Sequence, residues 1–357
     1  MHSLRPITNH LSRLLRLSDG NFLDAAAERW EIHPAEAVEI TAGIWLPDQT
    51  EHISRTEFGA LPDILAQMQG DPEEWTPPTM GYRFRDVDFV DGVLYARGAK
   101  LGLRDRKHES SRLSYRRPEG ALSGSMYESW IGNHWFGNWL LNDCLTYRLA
   151  EAAGHPVCSA PPRGGHISRY EELLGIAPER VGDVHFDELV VFDDLHNNAN
   201  RQARAQDHRA RVLAGRDPQP LPGVFIYRGS SGAARILDNE AEIAERLEVE
   251  FGFRTLYVER DGVDEIAEAV GGAEMVIGVE GSQLAHGVIA LRPGGTVLTL
   301  QPADRVTTSL KLLTDCWRQT YAMVVGDGSS SGGFRVDWGQ LCRTLDLIAA
   351  RKRQNPS

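Results

Sequence analysis

Residues 274–302, EMVIGVEGSQLAHGVIALRPGGTVLTLQP, hold the first side chains that could do chemistry. Glu280, Gly281 and Ser282 stand where the apolar run Met275, Val276, Ile277 and Val279 gives way to helical spacing through Gln283, Leu284, His286, Val288, Ile289 and Leu291. The run suits a strand buried on both faces of a parallel sheet. Gly281 permits a tight turn or a close ligand, and Ser282 is placed to cap the helix. In an open α/β sheet, ligands sit beyond the carboxyl ends of strands, where N–H groups at a helix start face phosphates. Glu280 at such an end could accept hydrogen bonds from a ribose or sugar, or act as acid or base; helix capping is its alternative task. His286 reads as a core histidine unless it faces a cleft. Pro293, Gly294 and Gly295 stop the helix, and Thr296 to Leu300 begins the next strand.

A second set lies upstream in Arg228-Gly-Ser-Ser-Gly-Ala-Ala-Arg235. Small residues let the backbone approach a ligand, and two arginines can clamp a diphosphate bidentately. Neither the GxGxxG fingerprint nor a P-loop is present, so the loop does not point to a nicotinamide cofactor. Asn239 and Glu240 open the following helix, where capping and dipole complementation explain both without a ligand.

A third set rides on Tyr127 to Ala153, which reads as one long helix rich in aromatics at its start. Trp135, Trp139, Leu140, Leu145 and Leu149 have core spacing. His134 and Asn138 are one turn apart, Asn142 continues that line, and Asp143 lies beside it. Such a polar line is either a site or a solvated face.

These groups need scaffolding, and the surrounding pattern supplies it. After the proline-rich stretch Asp217 to Pro222, strand-like and helix-like runs alternate: Val224 to Arg228, Asn239 to Phe251, Arg254 to Val258, Val263 to Val270, Val306 to Arg318, Tyr321 to Val325 and Trp338 to Ala350. Alternation of this kind predicts a doubly wound parallel sheet. Before it, Arg201 to Arg216 reads as a polar, Arg-rich helix ending at the domain boundary, and Glu188 to Phe192 as a buried strand. Residues 37–115 change to short alternating runs, and Asp91-Gly92 between two of them signals a hairpin. The expected domains are a β-rich segment over 1–118, an N-terminal Rossmann-like domain over 119–217 and a C-terminal one over 218–357. Leu4, Ile7, Leu11, Leu14 and Leu15 make the amino terminus amphipathic, with packing on its own domain expected and a membrane surface as the alternative. Lys100 to Arg117 carries seven Lys or Arg against Asp105 and Glu109, a solvated face or a place for an anionic acceptor such as a lipid-linked phosphate.

Composition narrows the classes. The 357 residues, 41% apolar and 25% charged, suit a two-domain globular protein. A net charge of −12 argues against a nucleic-acid polymer as partner. Four of the 38 basic residues are Lys; genome composition explains that bias as well as phosphate recognition does. Cys144, Cys158, Cys316 and Cys342 lack CxxC spacing, and no run reaches the roughly 18 apolar residues that span a bilayer, so a cytoplasmic protein is expected.

The combination of motifs resembles family 61 glycosyltransferases. Their pattern runs Arg, a variable loop, Arg-x-x-x-Asn-Glu, then Gly-x-His-Gly-Ala-x-Leu-x-Asn and a Pro-Gly before the last strand. Arg228, Arg235, Asn239, Glu240, Gly278, Gly281, Leu284, Pro293 and Gly294 match it. Upstream, Phe136-Gly-Asn-Trp-Leu-Leu-Asn-Asp143 is similar to the family's Tyr-x-His-Trp-Leu-Leu-Asp-Glu. The chain departs from the pattern at Glu280 and Asn138, where the family has His, at Ser282, where it has Ala, and at His286, where it has Asn. The resemblance implies a GT-B-like α/β fold, two Rossmann-like domains facing across a cleft, with the β-rich segment added to the first. It implies inverting transfer from a nucleotide-sugar to a glycan or lipid-linked glycan of a bacterial capsule or lipopolysaccharide. Arg228, Arg235, Gly281, Ser282, Gln283, His286, Asn138, Asn239 and Glu240 would then bind substrate. Asp143, His134 and Glu280 would be the candidate bases. No DxD pair sits at a strand end, because Asp193-Asp194 lacks the spacer, so neither metal nor cofactor is expected. A peripheral place at the inner membrane face goes with that reading. A catalytically silent sugar-nucleotide or glycan binder is the alternative; an epimerase would need the missing glycine fingerprint.

Overall fold

The structure, a computed structural model, describes residues 2–15, 21–108, 113–229, 235–329 and 332–354. The chain forms two compact units, each drawn from two stretches: residues 1–36 with 76–201, and residues 37–75 with 202–357.

In the second unit, five parallel strands lie in the order Arg254–Tyr257, Val224–Tyr227, Met275–Val279, Thr296–Pro302, Thr320–Gly328, with the short antiparallel Phe334–Arg335 at the edge. Phe225 pairs with Ile277, and both enter a core with Ile243, Leu247, Leu341 and Leu345 from the helices Glu240–Phe251 and Trp338–Gln354. Ile226 and Val276 point the other way and meet Gly287 of the helix Ala285–Ala290. Burial on both faces is why these strands read as unbroken apolar runs. Strand order reverses between Val224–Tyr227 and Met275–Val279, the switch point at which ligands of such sheets bind.

Several boundaries differ from the sequence reading. The expected helix from Ser282 is a 3-10 turn, Ser282–Leu284, followed by Ala285–Ala290, and Ser282 makes no capping bond. The helix expected over Val306 to Arg318 spans Ser309–Cys316, because Val306 is committed to a bridge with Thr56. Residues 37–75, grouped by sequence with the N-terminal half, pack here: Ile44 donates to the Tyr321 carbonyl at 2.9 Å and accepts from the Met323 N–H at 3.0 Å. Residues from 202 onward also belong to this unit, although the sequence places the boundary after 217. The helix Ala199–Leu213 buries His208 and Val212, and Arg209 Nε reaches the carbonyls of Ala290 at 3.0 Å and Leu291 at 3.1 Å.

The first unit is built on one mixed sheet. The parallel strands Ala121–Met126, Pro156–Cys158, Glu179–Arg180 and Val184–Asp193 are continued by antiparallel Thr79–Val90, Val93–Ala96 and Ala99–Gly102, and Glu28–His33 also joins Thr79–Val90. The β-rich segment and the parallel strands therefore share one sheet, where sequence reads an addition beside a separate Rossmann-like domain. The hairpin at Asp91-Gly92 is present, with φ of 49° and 78° at the two residues, the left-handed pair a primed turn needs.

One expectation for this unit holds only in part, and one fails. The helix Arg5–Leu14 docks through Pro6 and Asn9, while Leu4, Ile7, Leu11 and Leu14 are exposed. Tyr127 to Ala153 is not one helix but Trp130–His134, Phe136–Asn138, a π turn Trp139–Asp143 and Cys144–Ala153. Trp135, extended at φ −125° and ψ 123°, makes the break. Among the described residues, no helix is long and apolar enough to cross a membrane.

Candidate functional site

In the second unit, the two residues that follow the switch-point strands are Arg228 and Glu280. Arg228 Nη1 donates to the Glu280 carbonyl and to Gln283 Oε1, both at 3.1 Å. Arg235 Nη1 donates to the same carbonyl at 3.0 Å and forms an ion pair with the Glu280 carboxylate. Two guanidinium groups thus converge on one peptide oxygen. Burial, and then repulsion by Arg228 and Arg305, push the Arg235 guanidinium down to about 10. Arg228 is lowered by burial first, with Arg305 acting the same way. Among the described residues, the buried Nε–H of Arg235 has no acceptor. A crowded, desolvated cation pair with an unmatched donor is matched by an anion with several oxygens.

The neighbours hold this pair in place. Glu240 accepts the backbone N–H groups of Arg228 at 2.7 Å and Gly229 at 2.9 Å, which anchors the start of the loop. Burial raises the Glu240 carboxyl, and those two N–H groups oppose the rise. Asn239 makes no capping bond; its side chain brackets Val336, donating to the carbonyl at 2.9 Å and accepting the N–H at 3.2 Å. Both are thus tied to backbone. His286 is buried in the helix Ala285–Ala290, and Ser282 is half-buried at the turn. The small-residue loop 230–234 lies outside the described residues.

In the first unit, the break at Trp135 separates residues that sequence placed on one face. His134 is directed outward: its ring stacks on Trp130 with centroids 3.9 Å apart, and its nitrogens meet the Trp130 carbonyl at 2.6 Å and Asp105 Oδ2 at 3.0 Å. The Asp105 hydrogen bond, followed by the Trp130 carbonyl, raises the His134 pKa. Asn138 is half-buried, and Asn142 turns inward to accept from Arg201 at 2.6 Å. Asp143 is buried. It accepts the Ser129 N–H at 3.0 Å and the Ser129 hydroxyl at 2.7 Å, and burial pushes its carboxyl up to about 8. Gly132 lies so close that a Cβ there would overlap the Asp143 carboxylate. Asp143 still faces a cavity of about 180 Å³, shared with Glu128, Trp130, Thr146 and Asp194. A protonatable carboxyl in a desolvated cavity can exchange a proton with a bound hydroxyl.

The sequence reading missed Glu128, Ser129 and Trp130 in this unit, and Arg305 in the other. All follow a strand, Ala121–Met126 or Thr296–Pro302, so the carboxyl-end rule that selected Glu280 would have found them. Among the described residues, no three His, Cys, Asp or Glu side chains cluster as a metal site.

The family model for glycosyltransferase 61 matches residues 28–298. The chain belongs to that family. Glycosyltransferase activity, with a sugar donor and a glycan acceptor, goes with this membership, and the match includes Asp143, Arg228, Arg235 and Glu280. No curated protein matches the chain.

Proposed function

We propose that the protein is a hexosyl- or pentosyltransferase of GT-B type that moves a sugar from a nucleotide-sugar to a glycan, with inversion and without a metal. The observation that carries this reading is the convergence of Arg228 and Arg235 at the switch point, with the Arg235 Nε–H unmatched among the described residues. These arginines and the N–H groups near Ser282 hold the donor diphosphate. Glu240 positions the start of the loop that carries them, and Asn239 ties the beginning of the next helix to Val336. Glu280, neutralised by Arg235, orients that arginine, which leaves Asp143 as the first candidate for the base and His134 as the second.

In the step itself, the acceptor hydroxyl oxygen bonds to the anomeric carbon on the face opposite the diphosphate. The bond to the diphosphate breaks, and its electron pair stays on the leaving oxygen, stabilised by Arg228 and Arg235. A base must take the hydroxyl proton, and Asp143, the first candidate, can do so only when ionised. Surface polysaccharide assembly is the proposed setting. Attachment to the inner membrane face would use the exposed leucines of the helix Arg5–Leu14.

A silent sugar-nucleotide binder is the second reading, favoured by the Glu280–Arg235 pair standing where the family pattern has a histidine. The test is a thermal-shift and hydrolysis screen against nucleotide-sugars, with and without EDTA. Stabilisation with slow, EDTA-insensitive diphosphate release supports the transferase and names the donor. Stabilisation without turnover, even with acceptors added, selects the binder. No stabilisation by any nucleotide-sugar removes the donor site.

A further inference from the structure

We propose that the acceptor is an anionic oligosaccharide lying along the first unit, from the Asp143 cavity over Trp130 into a groove walled by Lys100, Arg104 and Arg106. The proposal rests on the reading that this unit takes the acceptor. Three cavities share walls here. The 180 Å³ cavity that holds Asp143 and a neighbouring one of 410 Å³ both include Gly102 and Trp130. The 410 Å³ groove and a third of 530 Å³ both include Arg104 and Asp105. The three are neighbours, with more combined room than one sugar ring requires, and the first is lined by the carboxyl proposed as base.

Trp130 is suited to hold a sugar ring. It is 41% exposed, yet fixed by the His134 stack and by an edge contact to Trp135 at 5.4 Å. One face of a pyranose presents only C–H groups, which pack on the electron-rich face of an indole. A pre-positioned ring loses little conformational entropy on binding.

The charge of the next segment decides the class of glycan. Lys100, Arg104 and Arg106 wall the 410 Å³ groove, and the acidic residue among its lining groups, Asp105, is engaged by His134. Arg104 donates to the neutral Asn133 Oδ1 at 3.4 Å. In a chain of net charge −12, a wall of three cations runs against the overall field. A neutral glycan gains nothing from it, whereas a carboxylate or phosphate on the sugar does.

The test uses the full-length protein, with binding read by tryptophan fluorescence and calorimetry. The probes are a tetra-galacturonate, a neutral gluco-tetraose, a phosphate-bearing oligosaccharide and inorganic phosphate. At least one acidic oligosaccharide should bind about tenfold more tightly than the neutral one at low ionic strength, and that advantage should shrink as salt screens the groove. Which acidic probe binds identifies the charge as uronate or phosphate. The double variant Arg104→Gln, Arg106→Gln should bring the acidic-to-neutral ratio close to one, and Trp130→Ala should weaken both kinds of saccharide, with melting midpoints confirming the folded state. Equal affinity for neutral and acidic saccharides, an unchanged ratio in the double variant, or inorganic phosphate binding as tightly as the saccharides would overturn the proposal. Nucleotide-sugar stabilisation of the unmutated protein is measured alongside. If it is present while acidic preference is absent, this inference alone fails; the reverse result supports the groove and removes the donor reading.

Discussion

The Cα of Gly281 lies against the guanidinium of Arg228: a Cβ at position 281 would overlap Arg228 Nη1 and crowd Gln283 Oε1. Gly281→Ala should therefore displace the arginine from the Glu280 carbonyl. Strain from such an overlap is typically about 1–3 kcal/mol. The expected outcome is a lower melting temperature together with loss of nucleotide-sugar stabilisation; unchanged values for both would mean that the arginine is not held where the donor diphosphate needs it.

Arg228→Ala should leave the fold intact and reduce transfer by roughly a hundredfold or more, the scale seen when a donor to a developing oxyanion is removed. Arg228→Lys keeps the charge but not the fork geometry, so it should recover only part of the rate. Steady-state kinetics with circular dichroism as a fold control check this, and full turnover in Arg228→Ala would end the diphosphate role.

As the proposed base, Asp143 sets a pH dependence. A base must be ionised, so with its carboxyl at about 8, transfer should rise with pH and level off above that value. Stability should move oppositely. The folded protein keeps a proton on Asp143 that the unfolded chain releases near pH 4, so stability is fully present below about 4 and is lost as pH rises through about 8. Asp143→Asn should abolish the rising limb of activity and flatten this part of the stability profile, as read from urea midpoints at pH 5 and pH 9.

Asp194 and Arg201 form a buried pair at 3.0 Å, each about 2% exposed, and Thr146 and Asn142 satisfy their remaining groups. Removing one partner leaves the other charge buried, so Asp194→Ala or Arg201→Met should cost about 3–5 kcal/mol. The double variant should cost less than the sum of the singles. Denaturant titration checks both statements, and strictly additive losses would show that the two charges do not interact.

Much of the second unit was legible in the sequence because parallel strands buried on both faces write continuous apolar runs, and their helices write a different period. The Arg228 and Glu280 positions followed from the rule that ligands collect at strand ends. The Asp91-Gly92 hairpin followed from local backbone chemistry alone. Site details depending on distant partners did not follow. Glu240 looks like a helix-dipole residue until the loop at Arg228 is seen to return to it, and Asn239 like a cap until Val336 arrives.

By itself, then, the sequence determined the parallel α/β half, the Asp91-Gly92 hairpin of the other unit and the arginine and carboxylate types at the strand ends, all of them local patterns. Only the tertiary structure decided that residues 37–75 join the second unit, that Trp135 breaks a helix so that His134 turns outward and Asp143 inward, and that Arg235 neutralises Glu280. The reason is physical: helical and strand periods are set by neighbours in the chain, whereas burial, ion pairing and the pKa of a carboxyl are set by groups that the chain brings together from afar.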